Sequence, residues 1–106
     1  MYWKTLQPAY GRRRGTMGLH GPVVIITRED AKAPRALSVT VPLTTENRGT
    51  KYEVQLPRVP WLRHQSFANV QAIAAYEYHE LIERRGRFDA AVMGKIKDAV
   101  RWALDL

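Results

Sequence analysis

The stretch GRRRGTMGLHGP places three consecutive arginines, Arg12, Arg13 and Arg14, among glycines near the start of the chain. These residues suit contacts with phosphate, because a planar guanidinium meets two phosphate oxygens at once and stays protonated. The same run is also typical of a solvated loop tip, since charged runs usually face water. His20 follows in the same stretch; since the side chain of histidine can donate or accept a proton, His20 is a candidate for proton transfer or a solvated loop histidine.

The charge distribution favours a polyanionic partner. The chain has 106 residues and a net charge of +7. Residues 1–64 carry 11 Lys and Arg against 4 Asp and Glu, whereas residues 65–106 carry 6 of each. A basic face on a small domain attracts nucleic acid by counterion release, although positive charge also serves solubility alone. Nucleic acid is therefore the first candidate partner.

Several kinds of chemistry lack the residues that they need. The chain has no cysteine, its three histidines are dispersed, and it has no phosphate-binding glycine motif, HExxH or EF-hand loop. We therefore expect no metal site and no cofactor. A chain of this length is expected to form one domain over residues 1–106. No apolar run has the length of a membrane span and no signal peptide is evident, so we expect a soluble, cytoplasmic protein with no membrane partner.

The elements that must position these residues are strands followed by one helix. Asp89 is a good N-cap, and Phe88 before it can pack on Met93. The apolar stripe of this helix contains Val92, Met93, Ile96, Ala99, Val100 and Leu104. Four segments have the β-branched or alternating pattern of strands: 2–8, 22–29, 36–43 and 50–57. Residues 66–82 fit strand and helix about equally, and the order of elements predicts an α+β fold.

The order of several motifs resembles the MazF/PemK family of toxin–antitoxin endoribonucleases. GPVVIIT is followed by ALSVTVPLTTENRG and YEVQLP, and then by SFANVQAIAAYE and RRGRFD. The most specific parts are V-P-x-T-T at 41–45 and the S-x-A-N-V…L…R-x-G-R run at 66–87. The resemblance extends from residue 3 to the C-terminus.

The resemblance implies a small SH3-like or CcdB-like barrel of antiparallel strands with a C-terminal helix packed on it. It also implies that residues 66–78 are largely strand and that the protein is a homodimer. Members of this family are mostly metal-independent endoribonucleases that cut single-stranded RNA, including messenger RNA, through attack by the 2′-OH. A cognate antitoxin inhibits them by laying a disordered segment across the RNA-binding groove.

Carried over by position, the family's active threonine is Thr44, with Thr45 beside it. The family's arginine precedes the proline that opens the second strand, and here Gly21 stands before Pro22. The expected catalytic arginine is therefore missing. Three groove-facing polar residues of many relatives are also replaced by alanines: Ala72, Ala74 and Ala75.

The arginine triplet lies in a stretch slightly longer than that of typical relatives, which suggests a substitute for the missing arginine. The predicted catalytic residues are Thr44, Arg14 and His20. The predicted RNA-binding residues are Arg12, Arg13, Thr45, Arg48 and Lys51, of which the last two flank the turn after Thr44. A solvated loop or partner-binding surface remains the alternative for the triplet, and solvated turn residues for Arg48 and Lys51.

Two non-cleaving functions also remain open. One is a CcdB-like gyrase poison, for which Trp102 near the C-terminus offers a parallel. The other is a catalytically dead dimer that binds RNA, since the arginine before Pro22 and three groove residues are lost. Trp61 and Trp102 are otherwise expected to anchor the core or the dimer interface.

Overall fold

The computed structural model describes residues 2–6, 22–28, 30–77 and 81–106. Four predicted site residues, and the position where an arginine was expected, lie outside these described residues: Arg12, Arg13, Arg14, His20 and Gly21. In the described ranges, no helix has the length and hydropathy of a membrane-spanning segment.

Seven described strands form one antiparallel sheet. They are β1 (Tyr2–Leu6), β2 (Pro22–Ile25), β3 (Leu37–Thr44), β4 (Glu53–Gln55), β5 (Phe67–Asn69), β6 (Ala74–Glu77) and β7 (Leu81–Arg87). Across the sheet the order is β4-β5-β3-β2-β1-β7, and β6 also pairs with β3. The single described helix, α1 (Ala90–Ala103), follows β7. The α+β class, with an antiparallel sheet and a C-terminal helix, is therefore confirmed.

The sheet does not close into a complete barrel among the described strands, because their pairings form an open path from β4 to β7. Strand β3 takes part in two different pairings on one side. Its start pairs with β6, where Thr40 faces Ala74, and its end pairs with β5, where Thr44 faces Phe67. β4 adds only three residues beyond β5 and has no second strand partner among the described residues.

The described part of the ambiguous segment at 66–82 contains β5 and β6, separated by a turn of 3-10 helix at Val70–Ala72, and then the first two residues of β7. Asn69 caps this turn, and its side-chain oxygen accepts the backbone N–H of Gln71 at 3.1 Å. The interruption explains why neither period fitted the sequence. The charge-rich residues 83–87 of β7 have no pattern that predicts a strand, and the pairing with β1 fixes them as one.

The core lies between the sheet and α1. Its most completely buried side chains are those of Leu56, Ile96, Val23, Val24, Val41 and Val70. Asp89 caps the helix as predicted, and its Oδ1 accepts the N–H of Val92 at 2.9 Å. Met93, Ile96 and Val100 bury the predicted stripe. Leu104 is exposed instead, because it is the C-cap, one residue beyond the last helical turn.

Trp61 anchors the loop before β5 to this core, as the sequence predicted. Its ring centroid lies 4.9 Å from that of the buried Phe88. A Cβ placed on Gly86 would collide with the Trp61 indole, so the strand β7 approaches the indole through a glycine. Trp61 thus packs against the junction between β7 and α1, about 25 residues further along the chain.

Candidate functional site

Thr44 ends β3 and is half-buried. Its Oγ1 accepts the backbone N–H of Glu46 at 3.0 Å, which fixes the side chain where the chain leaves the strand. A hydroxyl has one proton to donate, and that of Thr44 has no acceptor among the described residues. The hydroxyl is therefore held in place while its proton remains available.

A polar cavity of about 220 Å³ opens beside Thr44. Its walls come from the end of β3, the loop that follows, β4, and the junction between β5 and the 3-10 turn. They comprise Thr44, Glu46, Arg48, Glu53, Asn69 and Gln71. We call this the Thr44 cavity. Two of these residues, Thr44 and Arg48, are predicted site residues, whereas no sequence motif singles out the other four.

Arg48 does reach the Thr44 cavity, but it is already paired. Its guanidinium donates to Glu46 Oε2 at 3.0 Å. Both side chains are about 70% exposed, at 74% for Arg48 and 68% for Glu46. An ion pair so exposed contributes little to stability and can exchange partners readily. The predicted basic edge is thus an arginine engaged in an exposed ion pair.

Glu53 holds the turn that carries Arg48. Its Oε1 accepts the backbone N–H groups of Arg48 and Thr50, both at 3.1 Å. The backbone hydrogen bond from Thr50 lowers the pKa of Glu53, and the Thr50 hydroxyl, the Arg48 backbone and the Arg48 charge act in the same direction. Glu53 is therefore a firmly ionised carboxylate beside the cavity and a weak proton acceptor.

The other predicted RNA-binding residues of the described ranges do not line the Thr44 cavity. Thr45 is exposed immediately after Thr44. The Nζ of Lys51 lies 5.6 Å from the centroid of the Trp102 ring, and Tyr52 packs on the same ring at 4.9 Å. Trp102 remains 48% exposed within this group. Lys51 and Thr45 remain candidates for RNA contact at the edge of the site.

The alanines at positions 72, 74 and 75, where many relatives have polar residues, leave the region around β6 without those polar side chains. Ala72 and Ala75 are exposed, whereas Ala74 is half-buried and its carbonyl accepts the Thr40 hydroxyl at 3.0 Å. Polar side chains enter instead from Asn69 and Gln71, just before the first alanine. The sequence signal that could have indicated these two residues is the Asn-Val-Gln run at 69–71, because Asn is favoured where a helical turn begins.

We found no set of side chains arranged to bind a metal ion within the described ranges. No group of three or more His, Cys, Asp or Glu side chains there is placed to hold a metal ion. The two carboxylates of the Thr44 cavity are engaged with Arg48 or with backbone N–H groups.

The antiparallel sheet, the C-terminal helix and the position of Thr44 at the end of β3 agree with the class of small toxins that the motifs resemble. The family model of PemK-like, MazF-like toxins of type II toxin–antitoxin systems matches residues 1–104. The chain therefore belongs to this family. No curated protein sequence gives a significant match.

Solved structures of several toxins have the same fold. The Mycobacterium tuberculosis toxin MazF-mt6 is 23% identical, with a TM-score of 0.80 over 100% of this chain and 98% of the other. A mycobacterial endoribonuclease in complex with its cognate antitoxin is 25% identical, with a TM-score of 0.78 over 99% and 92%. A MazE–MazF structure from Deinococcus radiodurans is 16% identical, with a TM-score of 0.76 over 99% and 93%.

Proposed function

We propose that this toxin is a sequence-specific endoribonuclease that cuts single-stranded RNA, messenger RNA included, without a metal ion. The observation that carries the proposal is the Thr44 hydroxyl, fixed by the Glu46 N–H and open to the Thr44 cavity. The mycobacterial relative that is called an endoribonuclease supports the same activity. The excess of positive charge in residues 1–64 favours a polyanionic substrate.

The reaction needs little from the protein, because RNA carries its own nucleophile. The 2′-oxygen attacks phosphorus and loses its proton to a base, while the bond from phosphorus to the 5′-oxygen breaks. The leaving 5′-oxygen takes up a proton. The products are a 2′,3′-cyclic phosphate and a 5′-hydroxyl, so no redox partner or metal is required.

Thr44 acts in this mechanism as a fixed donor. Its free hydroxyl proton bonds a phosphate oxygen, on which negative charge grows in the transition state. A preorganised donor of this kind contributes roughly 10²–10³-fold to the rate. Such a donor acts without reorganisation, and the Glu46 N–H keeps the side chain in place.

The proposed altered active site lies in the stretch before β2. Arg14 supplies the guanidinium that neutralises the phosphate, in place of the arginine replaced by Gly21, and His20 transfers protons. RNA-binding roles are proposed for Arg12, Arg13, Thr45, Arg48 and Lys51. Thr45, Arg48 and Lys51 belong to the chain that leaves Thr44 and leads into β4, which favours contacts with flanking nucleotides.

The test is incubation of purified protein with a pool of single-stranded RNAs in excess EDTA. We expect cuts at a restricted set of sequences, with cyclic phosphate on one product and a free 5′-hydroxyl on the other. Arg14→Gln should slow cleavage strongly, whereas Arg28→Gln, the same change at an exposed arginine, should not. An absence of cuts across the pool would exclude this function.

The proposed partners are a second copy of the chain and a cognate antitoxin, in the cytoplasm. Relatives of known structure include an endoribonuclease with its cognate antitoxin and MazF with MazE. Size-exclusion chromatography with light scattering tests the dimer. Coexpression with the protein encoded next to this chain tests the antitoxin.

A catalytically dead RNA-binding dimer is the second candidate. The observation that favours it is that Arg48, the cation lining the Thr44 cavity, is held by Glu46. Gly21→Arg separates the two functions, since nuclease activity gained on this change means that only the arginine was missing. The CcdB-like gyrase poison is tested by Trp102→Ala, which should abolish toxicity only if Trp102 contacts gyrase.

A further inference from the structure

We infer that the Thr44 cavity is a subsite for one nucleobase of the substrate and selects a base with an exocyclic amino group, such as cytosine, over uracil. This inference rests on the proposed function, since the base is the one next to the phosphate at Thr44. It assigns Glu53, Asn69 and Gln71 as specificity-determining residues.

The size of the cavity suits one flat group. At about 220 Å³ it is smaller than the roughly 300–1,000 Å³ of pockets that enclose a drug-sized ligand. Its lining is almost wholly polar, with a hydroxyl, two carboxylates, a guanidinium and two amides. A base presents hydrogen-bonding groups along its edge, and sequence-specific proteins read unpaired bases there.

The charges of the cavity favour a base over a phosphate. Two carboxylates face one guanidinium, and that guanidinium is already paired with Glu46. The excess is therefore negative, although the chain as a whole is strongly positive. The two carboxylates disfavour a phosphate beside them, whereas a neutral base is not repelled. Thr44 and Arg48, which line the same cavity, are the groups that contact the phosphate itself in this arrangement.

Hydrogen-bonding capacity remains on the residues that line the cavity. Glu53 uses Oε1 for two backbone N–H groups, so Oε2 retains acceptor capacity. Asn69 uses its side-chain oxygen for the Gln71 N–H, which leaves its NH₂ group free to donate. The side-chain amide of Gln71 makes no hydrogen bond with any described residue.

The ionised Glu53 sets the preference among bases. A carboxylate only accepts hydrogen bonds, so it matches the N4 amino group of cytosine and opposes the O4 carbonyl of uracil. A glutamate with an ordinary pKa is already ionised at neutral pH, and the lowered pKa of Glu53 acts in the same direction. The side-chain NH₂ of Asn69 and the side-chain amide of Gln71 can then form hydrogen bonds with the neighbouring groups on the edge of the base.

The experiment compares two matched ligands, oligo(dC) and oligo(dU), which cannot be cut because they lack the 2′-OH. Fluorescence anisotropy measures their dissociation constants for the wild type and for Glu53→Gln. Glutamine can keep the Oε1 contacts with the Arg48 and Thr50 N–H groups, but it places an NH₂ donor where Oε2 was. We expect the wild type to bind oligo(dC) roughly five- to tenfold more tightly, as one hydrogen bond to a charged group allows.

Glu53→Gln should reverse or abolish this preference, and Gln71→Ala should weaken it. Asp98→Asn is the control, because it makes the same change of charge on an exposed face of α1, away from the cavity. Equal binding of the two ligands by the wild type, or an unchanged preference in Glu53→Gln, would overturn the inference. Thermal melts of each variant verify folding.

Cleavage distinguishes failure of this inference from failure of the proposed function. If the wild type cuts RNA but its cut sites are the same in Glu53→Gln, the base subsite is wrong and the nuclease stands. If the wild type prefers oligo(dC) and cuts nothing, the base subsite stands and the nuclease is wrong.

Discussion

Replacing Glu46 by glutamine should strengthen RNA binding by releasing Arg48. In the structure the guanidinium donates to Glu46 Oε2 at 3.0 Å, and both side chains are exposed. Glu46 therefore competes with an RNA phosphate for the Nη2 group of Arg48 and offsets part of its charge. Glu46→Gln removes this competition, and the Glu46 backbone N–H that binds Thr44 is unchanged.

The size of the effect follows from the exposure of the pair. A solvent-exposed ion pair contributes only about 0.2–1 kcal/mol, so its loss should barely change the free energy of unfolding. One additional phosphate contact to single-stranded RNA should steepen the dependence of log K on log salt by about 0.7. We expect affinity to rise a few fold at low salt and the gain to shrink as salt increases.

The assay is anisotropy with a fluorescent RNA that cannot be cleaved, measured over a series of salt concentrations. A double-mutant cycle with Arg48→Gln identifies the source of the gain. We expect Glu46→Gln to add nothing once Arg48 is absent. An equal gain in the Arg48→Gln background would mean that Glu46 acts only through general charge, and the reasoning about its pairing with Arg48 would be refuted.

Three further predictions concern the elements that hold the site. Gly86→Ala should lower the free energy of unfolding by about 1–3 kcal/mol, because the new methyl group collides with Trp61; a urea transition as stable as the wild type would contradict this. Asp105 follows the C-cap of α1 with a φ of 58°, so Asp105→Gly should stabilise the protein by about 1 kcal/mol, and an unchanged melting temperature would refute the expected relief of strain. The pKa of Glu53 is lowered by folding, so its contribution to stability is present above the ordinary value of 4.5 and is lost as the pH falls through the folded pKa. As the pH is lowered, the urea midpoint of Glu53→Gln should therefore fall less steeply than that of the wild type. Parallel pH dependences for the two proteins would count against this role.

Local sequence signals predicted the elements whose pattern agrees with their environment. The cap at Asp89 and the apolar stripe through Met93, Ile96 and Val100 predicted α1, because one helix face meets the core. The alternation of residues 36–43 predicted β3 within one residue at each end. The motifs that resemble the toxin family predicted the fold class and the position of Thr44 at the end of that strand.

Features set by long-range pairing did not appear in the sequence. The strand β7 reads LIERRGR, whose charges obscure any alternation, and it becomes a strand through its ladder with β1. The Thr44 cavity is similar, because Glu53, Asn69 and Gln71 come from segments that meet only once β4 and β5 pair. The engagement of Arg48 by Glu46 depends on the turn after β3 and could not be predicted from spacing.

The most direct test of the central claim is the single-turnover rate of RNA cleavage in EDTA for Thr44→Val and Thr44→Ser. Valine keeps the shape of threonine without its hydroxyl, whereas serine keeps the hydroxyl. The account predicts that Thr44→Val slows cleavage by roughly 10²–10³-fold, while Thr44→Ser stays close to the wild type. Cleavage by Thr44→Val at the rate of the wild type would contradict the claim that this hydroxyl stabilises the transition state.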